Sequence, residues 1–435
     1  MPRNYKKLQE KITFDALMKM LSEEFAQIQD HRRANRSYAL ADVLRSAFAM
    51  FSLKSPSLLA FQEQTKQEEK NLQALYHLQS VPGDTQMRVA LDPLAPAPFR
   101  VLFAKLFNLL SEAGVSKEYE YWKHHLLVSI DGVEHFSSTQ VHCQHCTTRT
   151  HRNGATSYHH AGLAAVLVHP AQAEVFPLDF EPILKADGAQ KNDCERNAAK
   201  RLCQGLHERY PDLKLLLVED ALYANAPHLR QITDYGWLFV LNVKPDSHAS
   251  LERQFAGRRA TGQVKELRVT DAQGNKHYFA WTNHLALCES AVDVSVNYLF
   301  YEQTDPKGKV TRWTWITNLP LHARSVEAVM RAGRARWKIE NETFNTLKNQ
   351  GYHFEHNYGH GKQNLATILA LLMFLAFTVD QMMQRCWGLF RQVRDGLRTK
   401  AKLWESLRSL FQVQLFPTMA ALYHQMADLY DIQLC

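Results

Sequence analysis

Leu126-Leu127-Val128-Ser129-Ile130-Asp131-Gly132 and, further along, Leu213-Lys214-Leu215-Leu216-Leu217-Val218-Glu219-Asp220 decide how this chain folds. Each is a short apolar run with little alternation, closed by an acid. Such runs read as strands buried on both faces, the kind that helices cover in α/β sheets. Between and after them lie two more strands, Ala161 to Val168 and Ala173 to Leu178. Asn192 to Tyr210 carries Ala198, Leu202 and Leu206 at helical spacing and stops at Pro211. Ala226 to Tyr235 reads as a second helix and Trp237 to Val243 as a further strand. Three strands, helix, strand, helix, strand predicts an α/β layout with a mixed sheet, turns joining the first strands and helices crossing over later.

Outward from this centre the pattern changes. Residues 1–118 are expected to be helical, with apolar spacing in Phe14-Leu17-Met18-Leu21, Ala39-Leu44-Ala47-Met50 and Phe99-Leu102-Phe103-Leu106. Asp84 or Thr85 is placed to cap a short helix carrying Arg88. Arg32, Arg33 and Arg36 read as a solvated helix end or as a DNA-backbone contact. Residues 247–318 alternate at the period of a strand, in Val264-Glu266-Arg268-Thr270, Lys276-Tyr278-Ala280-Thr282 and Val292-Val294-Val296-Tyr298-Phe300. Asp271 to Asn275 and Asp305 to Gly308 supply turns, so this segment reads as a β-rich insertion. Helices resume at Ser325, break near Gly351 to Gly361, and continue. The expected division is 1–118, a helical region whose arginine cluster admits DNA binding; 119–246, first part of the core; 247–318, the insertion; 319–362, core completion; 363–435, a helical C-terminal region.

Composition narrows the class. The 435 residues are 46% hydrophobic and 22% charged, ordinary for a globular chain of several domains. Fifty-one basic residues against 44 acidic ones give a net +7, which permits a polyanion partner without requiring one. Seven scattered cysteines and a polar, basic start predict a reduced, cytoplasmic protein. Leu365 to Val379 is apolar but shorter than the ~20 residues a membrane span needs, so it reads as a buried core helix and no membrane partner is expected.

Three acids stand where catalysis can use them. Asp131 and Asp220 each end an apolar strand. If those strands are parallel neighbours, both carboxylates emerge at the edge where ligands of open sheets gather. The third lies in Arg336-Trp337-Lys338-Ile339-Glu340-Asn341-Glu342-Thr343-Phe344. At about 100° per residue from Glu340, Trp337 falls near 60°, Phe344 near 40° and Leu347 near −20°. Glu340 is therefore an acid on an apolar face, and Glu342 points away. A half-buried carboxylate needs a partner: Arg336 one turn away, or a hard cation such as Mg²⁺, two of which clamp the attacking and leaving oxygens in phosphoryl transfer.

The blocks Ser129-Ile130-Asp131-Gly132, Val218-Glu219-Asp220-Ala221-Leu222-Tyr223 and Arg336 to Asn341 resemble the three acid blocks of DDE insertion-sequence transposases, in the branch with a β-strand insertion before the third acid. The resemblance covers about 125–365. It implies an α/β ribonuclease-H-like core with a β-rich insertion, flanked by helical N- and C-terminal regions. It implies Asp131, Asp220 and Glu340 as a catalytic triad holding two Mg²⁺ or Mn²⁺ ions, and metal-dependent cleavage and strand transfer. The implied partners are double-stranded DNA (terminal inverted repeats and target) and a second copy of the chain, as a homodimer on DNA. Arg336 and Lys348 take phosphate-contacting positions. The branch signature has Tyr where Gly333 stands, and its Lys falls on Leu347, one residue before Lys348. Competing readings are an inactive DNA-binding derivative, a nuclease of the same fold without strand transfer, and a zinc-stabilised scaffold.

Cys143-x₂-Cys146-x₄-His151 opens like a zinc knuckle, with His159 or His160 as fourth ligand and His142 and His145 as alternatives. Such a Zn²⁺ is structural, pinning the loop after the first catalytic strand. The competing reading is two thiols in a His-rich loop, with Arg149 and Arg152 touching DNA. Trp281, Trp313 and Trp315 read as core packing or as a platform for a flipped base. His353 to Lys362 reads as a plain loop or as lining of a DNA channel.

Overall fold

The computed structural model describes residues 3–33, 35–185 and 193–434. Helices α1 (Arg3–Gln9), α2 (Phe14–Gln27), α3 (Leu40–Ser52), α4 (Leu58–Tyr76), α5 (Asp84–Leu91), α6 (Ala97–Glu112) and α7 (Val115–Glu118) come first. Strands β1 (Glu120–Trp122), β2 (His125–Ser138), β3 (Thr147–Thr150), β4 (Thr156–Leu167) and β5 (Phe176–Ile183) follow, then α8 (Glu195–Arg209), β6 (Leu215–Glu219), α9 (Ala226–Asp234) and β7 (Leu238–Asn242). Next are α10 (Ala249–Ala260), β8 (Lys265–Thr270), β9 (Lys276–Cys288), β10 (Ala291–Thr304), β11 (Val310–Thr317) and α11 (Val326–Ala335). A π-helical segment, Ile339–Phe344, leads into α12 (Asn345–Asn349), and α13 (Leu365–Cys386), α14 (Gly388–Leu397), α15 (Lys400–Val413) and α16 (Met419–Leu429) complete the order.

Eleven strands form one mixed sheet in the order β3–β4–β2–β6–β7–β11–β10–β9–β8, with β1 on β2 and β5 on β4. β2, β6 and β7 are parallel, with α8 leading from β5 into β6 and α9 crossing from β6 to β7, while β4 runs antiparallel to β2. The continuous apolar runs thus lie where the sheet is covered on both faces; every residue of β6 is buried.

Several boundaries differ from expectation. β2 does not stop at Asp131-Gly132 but continues to Ser138, because β4 pairs with it across that whole stretch. The third strand starts at Phe176 rather than Ala173, and α8 starts at Glu195, with Asn192 outside the described residues. Gly83, not Asp84 or Thr85, takes the N-cap of α5, its N–H donating to Gln86 Oε1 at 3.3 Å. The β-rich stretch does not stand apart: β11 pairs with β7, so its hairpins extend the core sheet. It also opens with helix α10, whose polar sequence gave little apolar periodicity to read.

The terminal helices share one body. α13 packs on α3, α6 and β5, α16 on α2, and α15 on α4. Although α13 is long and apolar enough to cross a bilayer, 94% of its apolar window is buried inside the protein. Asp15 of α2 accepts the Met419 N–H at the start of α16 (2.8 Å), and the Asn71 amide donates to the carbonyls of Phe411 and Gln414, both at 2.7 Å. Lys54, buried with φ +59°, reaches Asp380 of α13 at 2.6 Å and lies 4.1 and 4.3 Å from the ring centroids of Tyr352 and Trp404. The Tyr352 hydroxyl donates to the same carboxylate. A buried ammonium is tolerable only with such a carboxylate and aromatic faces around it.

β5 poses the same problem and answers it the same way. Its buried Asp179 accepts a forked pair of hydrogen bonds from Arg100 of α6 (2.7 and 2.6 Å) and a contact from Arg209. Glu181 is held by Arg201 at 2.6 Å and by Arg100. The N-terminal helices are therefore bound to the sheet by matched charges as well as by apolar packing. Arg32 and Arg36 fold onto Asp30 at 3.0 and 2.9 Å in the loop after α2, leaving Arg33 exposed.

Candidate active site

The parallel register fixes the first two acids. Leu126 faces Leu215 and Ser129 faces Val218; the same offset carried two residues on sets Asp131 opposite Asp220. β6 ends at Glu219, so Asp220 opens a loop in which its Oδ1 accepts the Leu222 N–H at 2.8 Å. Glu219 points the other way and is buried against His228 Nε2 at 2.9 Å. Alternation along the strand therefore separates a structural acid from one at the sheet edge.

Glu340 arrives through the helix after β11. Arg336 Nη1 donates to Asp131 Oδ2 at 2.8 Å, and its Nη2 forms an ion pair with Glu340 Oε1 at 2.8 Å, the arginine side chain being only 9% exposed. Ser129 Oγ donates to the Arg336 carbonyl at 3.3 Å, which ties β2 to this helix. Asp131 Oδ1 accepts the Gly132 N–H at 2.9 Å. Burial pushes the Asp131 carboxyl up to about 7; the Arg336 charge opposes this, and the charges of Glu340 and Asp220 add to it.

The regular-helix phase holds for Phe344 and Leu347, which are buried as expected, and for Glu342, which is exposed. Trp337 departs from it: expected on the apolar face with Glu340, it is 48% exposed, its ring centroid 5.4 Å from the Arg336 guanidinium carbon. It precedes the π-helical segment, whose wider turn puts residues before it out of step with those beyond. Ile339 and Thr343 are buried as well.

A fourth acid enters that sequence reasoning missed. Glu195, the first residue of α8, lies over Gly132: a Cβ there would sit 2.8 Å from Glu195 Oε1. Burial, and then the charge of Asp220, raise the proton affinity of Glu195, while a 3.4 Å hydrogen bond from the Tyr223 hydroxyl opposes the rise. The available signal was Gly132, a residue without a side chain beside an acid on a strand.

The remaining positions divide. Gly333 has no room for a side chain, since a Cβ would meet Trp315 Nε1 at 2.4 Å. Leu347 is buried, and Lys348 pairs with Glu355 at 2.6 Å. Arg149 and Arg196 line an open cleft of about 630 Å³ that also includes Gly132 and Glu195. Arg152 is exposed on the turn between β3 and β4. Trp281 and Trp315 are buried in the core; Trp313 stacks on Tyr301 (5.4 Å between centroids) beneath Arg334. His353 to Lys362 is anchored rather than loose: Phe354 and Tyr358 are buried, and Asp92 accepts the N–H groups of Lys362 and Gln363 at 2.7 and 2.9 Å.

The cysteine loop is corrected in one ligand. Cys143, Cys146 and His160 converge, but His151 turns away to Ser157 Oγ at 2.7 Å, as does His159 at 2.6 Å. His360 completes the group instead.

Asp131, Asp220 and Glu340 supply hard oxygen donors, and Arg336 shows that a positive charge is stable between two of them. This donor set fits a divalent cation. Residues 139–378 match the family model of the transposase DDE domain, and the chain belongs to that family. Asp220 and Glu340 fall inside the matched span; Asp131 precedes it. No curated protein matches the chain. Among solved structures, a cryo-EM piggyBac transposase synaptic complex with hairpin DNA is similar over 94% of this chain and 80% of that one, at 11% identity and a TM-score of 0.41.

Proposed function

We propose that this transposase-family protein cuts DNA at the ends of an insertion sequence and joins the freed ends to target DNA. The observation that carries the reading is that Asp131 and Asp220 come from the parallel neighbours β2 and β6 and lie near enough for the Asp220 charge to act on Asp131, with Glu340 linked to Asp131 through one guanidinium. The core is read as ribonuclease-H-like, with β8–β11 as its β-rich extension and residues 1–118 contributing DNA contacts. Asp131, Asp220 and Glu340 are the residues that would hold two Mg²⁺ or Mn²⁺ ions. When bound, these would supply Lewis-acid activation of the attacking oxygen and neutralise charge on the phosphate.

The chain's own groups do the rest. Arg336 is a positioning residue that fixes the carboxylates of Asp131 and Glu340 before substrate arrives. Glu195, whose proton affinity is raised by burial and by the charge of Asp220, stands beside the acids at the sheet edge. Arg149, Arg152 and Lys348 face the phosphate backbone, where cations give affinity without base recognition. Water attacks a phosphodiester, a new P–O bond forms as the P–O3′ bond breaks, and the departing 3′-oxygen takes up a proton, leaving a 5′-phosphate and a 3′-hydroxyl. That hydroxyl then attacks a target phosphodiester, forming a new P–O3′ bond while the target's own P–O3′ bond breaks and its 3′-oxygen leaves as a hydroxyl. No protein nucleophile is needed. The working form is a homodimer bridging two ends, in the cytoplasm on the nucleoid.

Glu340→Gln tests this. The substitution keeps size and hydrogen bonding but removes a charged donor. With Mg²⁺ and DNA carrying the element's ends, the variant is expected to bind DNA like wild type and to lose cleavage by about 10³-fold or more, the scale of losing one electrostatic element of a phosphoryl-transfer site. Wild-type cleavage by the variant overturns the triad. Cleavage without joined products by the wild type indicates a nuclease instead.

A further inference from the structure

Cys143 and Cys146 lie in the loop after β2, His160 on β4, and His360 in the segment between α12 and α13. Their ligand atoms all fall within 4.8 Å of one another. The separations are 3.7 Å for Cys143 Sγ–Cys146 Sγ, 3.4 and 3.3 Å from His160 Nε2 to the two sulfurs, 3.6 Å for Cys146 Sγ–His360 Nδ1, and 3.2 Å for His160 Nε2–His360 Nδ1. These are the edges of a specific polyhedron. A tetrahedral zinc with Zn–S of about 2.3 Å and Zn–N of about 2.0–2.1 Å puts sulfurs about 3.8 Å apart, sulfur and nitrogen about 3.5 Å, and nitrogens about 3.3 Å.

Neither a disulfide nor ordinary packing accounts for these separations. A disulfide needs sulfurs at about 2.05 Å, far short of the observed gap. Core packing alone does not turn two imidazole nitrogens and two thiols toward a common centre. Cys146 and His160 are 1% and 3% exposed, which also argues against a loose surface cluster. The Cys143 N–H donates to Cys146 Sγ at 3.4 Å, and the Cys146 N–H to the Cys143 carbonyl at 3.3 Å. That turn holds both sulfurs on one side.

We propose that Cys143, Cys146, His160 and His360 bind one structural Zn²⁺. The ion joins the end of the strand carrying Asp131 to the segment leaving the helix that carries Glu340. Cys146 and His360 are 214 residues apart, and the same junction carries a hydrogen bond from Gln144 Nε2 to the Lys362 carbonyl at 2.8 Å. A closed four-ligand site leaves no open position for a water, so the role is a clamp rather than a second reaction centre.

The test is metal content of the full chain, purified under reducing conditions without chelator. Elemental analysis is expected to give about one zinc per chain. Cobalt reconstitution should give the d–d bands of a tetrahedral site together with sulfur-to-cobalt charge transfer. His360→Ala and Cys146→Ser are expected to lose zinc, whereas His151→Ala keeps it. Asp131→Asn also keeps it, which separates this site from the proposed active site. Folded wild-type protein with neither zinc nor tetrahedral cobalt bands overturns the proposal, and so does full zinc content in His360→Ala. The wild-type cobalt spectrum decides the matter even if a variant fails to fold.

Discussion

Asp131→Asn should make the Mg²⁺-free protein more stable while removing its activity. The ionised carboxylate is crowded by burial and by Glu340 and Asp220, which together outweigh Arg336 and raise its pKa from 3.8 to about 7. At ~1.4 kcal/mol per tenfold change in proton affinity, the ionised form weakens the fold by roughly 4 kcal/mol above pH 7. The sign is set by the direction of the rise. Folded protein binds this proton more tightly than unfolded chain, so the position contributes most stability below about pH 4. That contribution fades as the pH climbs to about 7. Asparagine carries no charge, can still accept the Gly132 N–H, and leaves Arg336 paired with Glu340. The stability difference between variant and wild type should therefore widen by roughly 2–3 kcal/mol between pH 5 and pH 8. Urea unfolding in Mg²⁺-free buffer without chelator, followed by far-UV circular dichroism across that range, reads the difference. Added Mg²⁺ should narrow it by stabilising wild type alone. A variant less stable than wild type at pH 8, or an offset that ignores pH, would refute the reasoning.

Packing sets two more outcomes. Gly333→Ala drives a methyl into the Trp315 indole and should cost about 1–3 kcal/mol; thermal unfolding should show most of that loss recovered in the double variant with Trp315→Phe. Lys54→Met removes the cation ion-paired with Asp380, leaving Lys400 at longer range, and should cost about 3–5 kcal/mol. The same melts read it, and Lys54→Met with Asp380→Leu should restore much of the loss.

What the sequence disclosed depends on how local each signal was. The buried strands were legible because Leu215 to Val218 and Leu126 to Ile130 are apolar throughout, and an acid after such a run stands out. The mixed sheet followed from element order. The nearness of Asp131 to Asp220 was not legible, since pairing is decided by packing between strands and not within either. His151 is the nearest histidine to the Cys143–Cys146 pair on its C-terminal side, so spacing selects it; the histidine that joins them lies two hundred residues away. Glu195 was hidden for the same reason, acquiring its meaning only where α8 crosses Gly132. Trp337 was misplaced because a uniform 100° step cannot represent a π turn. Gly333 read as a gap in a motif, and only the indole above it explains why no side chain stands there.

The interlocking of the first and last helices has a bearing on how this protein is made. α3 and α6 leave the ribosome early, yet part of the surface that covers their apolar faces belongs to α13, about 310 and 250 residues later respectively. At about 5–20 residues per second, those faces wait on the order of tens of seconds for their partner. Asp15 and Asn71 wait longer still for the helix start and carbonyls they serve. Through that interval the nascent chain exposes Phe48, Leu44 and Phe103 to whatever else is in the cell, so chaperone supply, more than final stability, should govern how much of it survives synthesis.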